Sequence, residues 1–228
     1  IGSVYYSQHA FDSAVSYYKQ AENITTRYAQ TLDGEQRLYN RLGVIHYETG
    51  NYKLAKNYFE KALALLPPTD PLYAEFKANF QNNIASALLN LEMYDTAKSI
   101  YLQLLPLDIY KNEVTQNLGL IDLSLGNPAA AIRWFKKSGI TDGNSVFLYN
   151  KIAKAYLEMK NQDSAARYLN MAMEANLKWN GQTKNVANGL SHFYKAELAL
   201  LQNKPQQSIE FYQQSIIQFH NGVSDTSL

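Results

Sequence analysis

The sequence predicts an all-α protein in which about twelve helices pair into six helical hairpins. Two observations lead to this fold class. Apolar residues recur at the three- and four-residue spacing of an amphipathic helix, and no segment alternates like a strand. A small residue followed four positions later by a bulky one also recurs along the chain, which indicates an internal repeat. We therefore expect a repeat protein whose hairpins stack and bury a continuous core.

The clearest hairpin lies within residues 36–69. Its apolar residues follow helical spacing on both sides of Gly50-Asn51, where the pattern breaks. Two packed helices approach most closely where their side chains are small, and these positions here are Gly43, Ala55 and Ala62. The segment is therefore predicted to form a helix, a turn and a second helix.

The small-to-bulky signature of the second helix occurs six times, and successive copies lie 41, 42, 34, 34 and 43 residues apart. A small residue also recurs in each first helix at nearly the same spacing. Five recurrences at similar spacing make coincidence a poor explanation. We predict that four of the alanines are buried where two helices meet: Ala55, Ala97, Ala131 and Ala165.

These residues resemble the tetratricopeptide-repeat (TPR) family, whose period is 34 residues. The resemblance covers about residues 1–220 and is weaker in the last two repeats, where Lys160 and Asn203 replace the turn glycine. It implies a right-handed solenoid of six repeats near 1–34, 36–69, 71–109, 111–143, 144–179 and 183–220, followed by a polar tail at 221–228. Repeats of one solenoid form a single array and not separate domains.

The longer spacings add seven to nine residues, which is close to two helical turns. They predict three long helices, at about 11–31, 71–91 and 183–202. Asp70-Pro71 reads as the N-cap and first residue of the second of these helices. The first repeat lacks nearly two turns and no polar capping helix follows helix 205–219, so we expect the chain to be part of a longer polypeptide.

Composition excludes several classes of function. The 21 Lys+Arg against 20 Asp+Glu give a net charge of +1, and no basic stripe points to nucleic acid. No apolar run is long enough to insert into a membrane. The absence of cysteine and of metal-binding, nucleophile-elbow and phosphate-loop motifs predicts no catalytic site, no metal and no cofactor. The compartment stays open, with the cytoplasm favoured.

The resemblance directs attention to positions 2, 5, 6, 9, 12 and 13 of each first helix, which line or border the concave groove of TPR proteins. At positions 5 and 6 this chain carries mainly amides, and each amide offers both a donor and an acceptor. An amide ladder can therefore hold the backbone of an extended peptide, with apolar contacts from position 12. The candidate groove residues, expected to be exposed where they form the ladder, are Asn40, Arg41, Tyr47, Asn82, Asn83, Leu89, Gln116, Asn117, Leu123, Asn150, Lys151, Lys154 and Phe193.

Two alternatives to the ladder stay open at this point. Asparagine at position 6 is ordinary repeat consensus, which requires no ligand. A second TPR binding mode, the carboxylate clamp for a peptide C-terminus, needs basic and amide residues together, and only Lys151 and Lys154 fit it.

Helix 205–219 carries Ile209, Tyr212, Ile216 and Phe219 as one apolar stripe, part of which should cover the preceding helix. Phe211 and Ile217 lie off the stripe and extend the apolar surface. We expect this face to contact a second copy of the chain or another domain of the same polypeptide.

The leading hypothesis for function is a non-enzymatic module that binds a protein or extended peptide in its concave groove. The alternative rests on the segment 216–220 with Ser224-Asp225, which is similar to the junction of bacterial TPR–CHAT proteins. There the array leads into a caspase-like peptidase domain, and the array would then serve as a regulatory or sensing half.

Overall fold

The structure is a computed structural model that describes residues 1–28, 34–141, 143–180 and 185–219. These residues form twelve α-helices, one short 3-10 turn at Leu105–Leu107 and no strand, so the predicted all-α class is confirmed. The helices are α1 (Gly2–Ser7), α2 (Phe11–Tyr28), α3 (Glu35–Glu48), α4 (Tyr52–Ala64), α5 (Tyr73–Asn90), α6 (Tyr94–Leu104), α7 (Lys111–Ser124), α8 (Pro128–Lys137), α9 (Ser145–Glu158), α10 (Gln162–Asn180), α11 (Val186–Leu201) and α12 (Pro205–Phe219).

The chain forms two compact units, residues 1–117 and 118–228, with the division inside α7. In the first unit each helix packs on the next along the chain from α1 to α6, and α3 also contacts α5. The second unit repeats this arrangement, with α9 packed against α10 and α11, and α11 against α12. First helices of successive repeats therefore touch within each unit. A single array of six repeats stays a prediction.

The predicted long helices are present, with adjusted starts. Helix α12 has the predicted bounds, and α11 lies within the predicted range 183–202. The assignment of Asp70 as the N-cap is wrong, because α5 begins at Tyr73 and the Asp70 carboxylate instead accepts a hydrogen bond of 2.8 Å from the Leu72 backbone N–H. Helix α2 extends to Tyr28, and the predicted end near residue 31 lies outside the described residues.

Two hairpins close where a glycine of the first helix faces a ring of the second. A Cβ atom added to Gly43 would lie 2.5 Å from the ring of Phe59, and one added to Gly119 would lie 2.4 Å from Phe135. Both rings are buried. On the second helices, the four alanines predicted to be buried (Ala55, Ala97, Ala131 and Ala165) have no exposed surface, which confirms the assigned repeat register.

The turns between paired helices need a residue in the left-handed backbone region. Gly50 and Gly126 supply it with φ of 79° and 74°. Lys160 and Asn203, the two residues that replace the turn glycine, adopt φ of 55° and 56° at the same place. The turn geometry is therefore kept although lysine meets more steric repulsion there than glycine.

Tyrosine rings and lysine side chains pack together where α2 and α4 meet α3. The Lys61 ammonium lies 3.8 Å from the ring centroid of the buried Tyr39. Lys19 donates a hydrogen bond of 2.8 Å to Glu22, which also accepts from Lys61 at 3.4 Å. These contacts pair the charges on the α2 and α4 side of α3, while the opposite side of α3 carries the site described below.

We predict that Ala131→Leu destabilises the protein by about 1–3 kcal/mol, because the added volume overpacks the contact between α8 and the helices beside it. Ala129→Leu on the same helix adds the same volume at an exposed position and should change stability by less than about 0.5 kcal/mol. Urea denaturation followed by circular dichroism measures both. Equal stability of the two variants would contradict the repeat register.

Candidate functional site

A groove in the first unit runs between α3 and α5 and reaches the start of α7. It consists of two cavities of about 240 Å³ and 210 Å³ that share Val44 in their walls. We call it the α3–α5 groove. Its main lining residues are Arg37, Asn40, Arg41, Val44, Tyr47 and Glu48 on α3, Phe76, Asn79, Phe80, Asn83 and Ser86 on α5, and Tyr110 and Glu113 beside them.

Helical spacing explains why α3 presents these side chains together. Residues 37, 40, 41, 44, 47 and 48 follow one another at intervals of three, one, three, three and one, which keeps them on one face of the helix. The other face carries Tyr39, Leu42 and Ile45, which are buried in the hydrophobic core of this unit. Burial of the apolar face thus turns the polar face toward the groove.

Amide side chains link the helices that line the groove. Asn83 on α5 donates a hydrogen bond of 3.0 Å to the Asn40 Oδ1 on α3, and Asn79 donates one of 2.9 Å to the Tyr110 hydroxyl. Four of the predicted residues, Asn40, Arg41, Tyr47 and Asn83, line the two cavities. The recurrence of amides therefore serves contact between successive repeats as well as the groove surface.

The expectation of exposed ladder amides is wrong for Asn82 and Asn150, which are only 3% and 2% exposed. Asn82 donates a hydrogen bond of 2.9 Å to Glu113 on α7. Asn150 donates one of 2.9 Å to the Ala187 carbonyl and accepts one of 3.0 Å from the Ser191 hydroxyl. Both side chains hold the first helix of the next repeat, so they are structural.

The apolar residues at position 12 divide in the same way. Tyr47 lines the groove and accepts a hydrogen bond of 2.9 Å from Asn90, and burial raises the pKa of its hydroxyl. Leu89 is half-buried. Leu123 is buried in the core of the second unit beside Phe135, so the expectation that it contacts a ligand is wrong.

The remaining candidates lie outside the two cavities. Asn117 donates a hydrogen bond of 2.8 Å to the Tyr101 hydroxyl, and Gln116 is half-buried on the same helix. In the second unit, burial lowers the pKa of Lys151, and Lys154 pairs with Glu158 at 4.0 Å. Phe193 is exposed and its ring lies edge-on to Tyr212, 5.7 Å between centroids. Gln116 and Asn117 do not line the α3–α5 groove, and the other three residues belong to the second unit.

Sequence reasoning missed nine of the thirteen lining residues named above. Arg37, Asn79 and Glu113 occupy position 2 of their repeats, and Val44 and Ser86 occupy position 9. Both positions belong to the concave set of the family, so a position-by-position reading contained a signal for them. The sequence held no such signal for Tyr110, because this residue lies between helices, with a backbone φ of 58°.

The last helix packs differently from the prediction. Ile209 and Ile216 of the expected stripe are 51% and 44% exposed, whereas the α11-facing side is formed by Ser208 and Ser215, which donate to backbone carbonyls of α11. Phe211, expected to be uncovered, lies 6.3 Å from the His192 ring and is half-buried. The exposed apolar surface of α12 is therefore centred on Ile209 and Ile216.

Two chemical features are missing from the part of the chain that the structure describes. These residues contain no group of three histidine, aspartate or glutamate side chains placed to hold a metal ion. None of their helices combines the length and the apolar character needed to cross a membrane.

Paired helices that touch their neighbours through successive first helices define the class of helical-hairpin repeat proteins. Residues 1–67 and 78–108 match family models described as Tetratricopeptide repeat. These two segments therefore carry tetratricopeptide repeats, as the sequence pattern predicted. No curated protein matches the chain.

Solved structures show the same fold at low sequence identity. PilF of Pseudomonas aeruginosa is 20% identical with a TM-score of 0.64, over 97% of this chain and 90% of that one. The apo form of RapI is 16% identical with a TM-score of 0.67, over 96% and 94%. The Rap conjugation gene regulator of plasmid pLS20, solved with the Phr* peptide, is 17% identical with a TM-score of 0.65, over 96% and 61%.

We predict that Asn150→Ala destabilises the protein by about 1–3 kcal/mol, because it removes the buried hydrogen bonds that Asn150 makes with the Ala187 carbonyl and the Ser191 hydroxyl. Lys154→Ala, one turn along α9 at an exposed position, should cost less than about 0.5 kcal/mol. Thermal and urea unfolding of both variants measure the difference. Equal costs would show that the Asn150 bonds do not hold α11.

Proposed function

We propose that the first unit binds an extended segment of a partner protein in the α3–α5 groove. The observation that carries the proposal is the pair of neighbouring cavities, which share Val44 in their walls and have polar and aromatic linings. Elongated clefts lined by apolar surface with a few placed polar groups are typical binding sites.

The chemistry of the walls supports an extended peptide. Asn40 accepts a bond from Asn83 through Oδ1, which leaves its amide nitrogen to donate to a ligand carbonyl. The Phe76 ring, held under the Arg37 guanidinium at 4.9 Å, offers apolar contact at one end. The Rap regulator of pLS20, which has this fold, was solved with a peptide, and this parallel favours a peptide over a small metabolite.

We infer that the chain is a non-enzymatic scaffold, since the tetratricopeptide repeat is generally one and the groove walls contain no histidine or other ready nucleophile. Cytoplasmic location and bacterial origin stay predictions. The alternative of a regulatory array ahead of a CHAT peptidase domain also stays a prediction. It was suggested by residues 216–220 with Ser224-Asp225, of which 220, 224 and 225 lie outside the described residues. The gene sequence beyond residue 228 tests it.

We predict that Val44→Trp blocks peptide binding, because an indole at the shared wall fills both cavities at once. The measurement is selection of a displayed random decapeptide library on immobilised protein, followed by sequencing of the recovered pool. The wild type should enrich a set of related peptides, and Val44→Trp should return the unselected pool.

Leu177→Trp is the matched control, since it adds an indole at an exposed site on α10 in the second unit. It should enrich the same peptides as the wild type. Circular dichroism establishes that both variants keep their helix content. Enrichment of the same peptides by Val44→Trp would contradict binding in the α3–α5 groove.

We also propose that the exposed face of α12 pairs with a second copy of the chain, because Ile209 and Ile216 lie two turns apart on one side of the helix. Sedimentation equilibrium should show self-association that Ile216→Glu abolishes without loss of helix content. A strict monomer at high protein concentration would contradict this pairing.

A further inference from the structure

The two cavities of the α3–α5 groove carry side chains of different charge. Arg37 and Arg41 flank one cavity, together with Glu75. Glu48 and Glu113 flank the other, whose described walls contain no lysine or arginine. A chain lying along α3 therefore meets guanidinium groups first and carboxylates second.

None of these two arginines and two glutamates forms an ion pair among the described residues, although Glu75 lines the same cavity as the arginines. Glu48 accepts a hydrogen bond of 2.7 Å from the Tyr6 hydroxyl, and Glu113 accepts one of 2.9 Å from Asn82. These neutral donors orient the carboxylates while leaving their negative charge unpaired.

The glutamate charges at the acidic end also affect the pKa values of two neighbouring tyrosines. Burial, and then the hydrogen bond and charge of Glu48, raise the pKa of Tyr6. Burial raises the pKa of Tyr47 in the same cavity, and the Glu113 charge adds to it.

A second observation at the acidic end is independent of charge. Asn82 is 3% exposed, its Nδ2 bonds to Glu113, and its Oδ1 has no hydrogen-bond partner. A buried acceptor that receives no hydrogen bond lowers the stability of the fold. Asn82 lines neither cavity, so its part at the acidic end is to hold the Glu113 carboxylate in place.

We propose that the groove selects an extended peptide of mixed charge, with an acidic side chain at Arg37 and Arg41 and a basic side chain at Glu48 and Glu113. Arg41 and Glu48 are seven residues apart on one helix, which is about 10.5 Å along its axis. An extended chain rises about 3.3 Å per residue, so the two charges of the ligand lie roughly three to four residues apart, and the four-residue spacing puts both side chains on the same face. This inference rests on the proposed function and adds the chemistry of its ligand.

The test compares the decapeptide pools enriched by the wild type and by the charge-exchange variant Arg41→Glu/Glu48→Arg, which keeps the net charge. Arg167→Glu/Glu174→Arg is the matched control, because it exchanges the same residue types at the same seven-residue spacing on exposed positions of α10. Circular dichroism checks each fold, and Arg41→Gln serves if the exchange variant does not fold.

The wild type and the control should enrich peptides with an acidic and a basic residue three or four positions apart. The exchange variant should lose this pairing. In an enriched peptide, replacing the acidic residue by its amide should weaken binding to the wild type about two- to fivefold. The same replacement should have a smaller effect on binding to Arg41→Gln, since only the Arg37 charge is then left to attract it.

The outcomes separate this inference from the proposed function. Enriched peptides that lack paired charges, or a pairing that persists in the exchange variant, would overturn the mixed-charge ligand and leave peptide binding intact. A wild-type pool no different from that of Val44→Trp would overturn peptide binding and this inference together.

Discussion

The close approach of paired helices at small residues is the constraint on which the remaining structure depends. Glycine at 43 and 119 lets the rings of Phe59 and Phe135 enter space that a Cβ atom would occupy. Because this contact fixes how the two helices of a hairpin are rotated, it also fixes which face of the first helix is left uncovered. On α3 that face carries the arginines, amides and glutamate of the groove.

Contact between successive first helices shapes the groove in a second way. The amides of α3, α5 and α7 are largely used to bond neighbouring repeats, as Asn83 does with Asn40 and Asn82 with Glu113. A polar helix face therefore gains a fixed geometry, since each amide loses the freedom to rotate. Preorganised polar walls cost less to order when a ligand binds. Asparagine side chains thus bond neighbouring repeats and also form part of the proposed binding surface.

The exposed surfaces of the two units present different chemistry. The groove of the first unit combines unpaired charges of both signs with aromatic rings, which favours selectivity among peptides. In the second unit, Lys154 already has a carboxylate partner and Lys151 is half-buried. Its exposed apolar side chains on α12 offer area without charge. We therefore propose recognition of a charged ligand for the first unit only.

The sequence by itself determined the helical class, the repeat register and the buried alanines, because these follow from helical periodicity and the size of side chains at fixed spacing. It also placed Asn40, Arg41, Tyr47 and Asn83 at the groove. Only the tertiary structure decided that Asn82 and Asn150 are buried and that Leu123 belongs to the core. The same repeat position is exposed in one hairpin and covered in another, because exposure depends on how closely the next first helix packs, and that distance is set by residues more than 30 positions away.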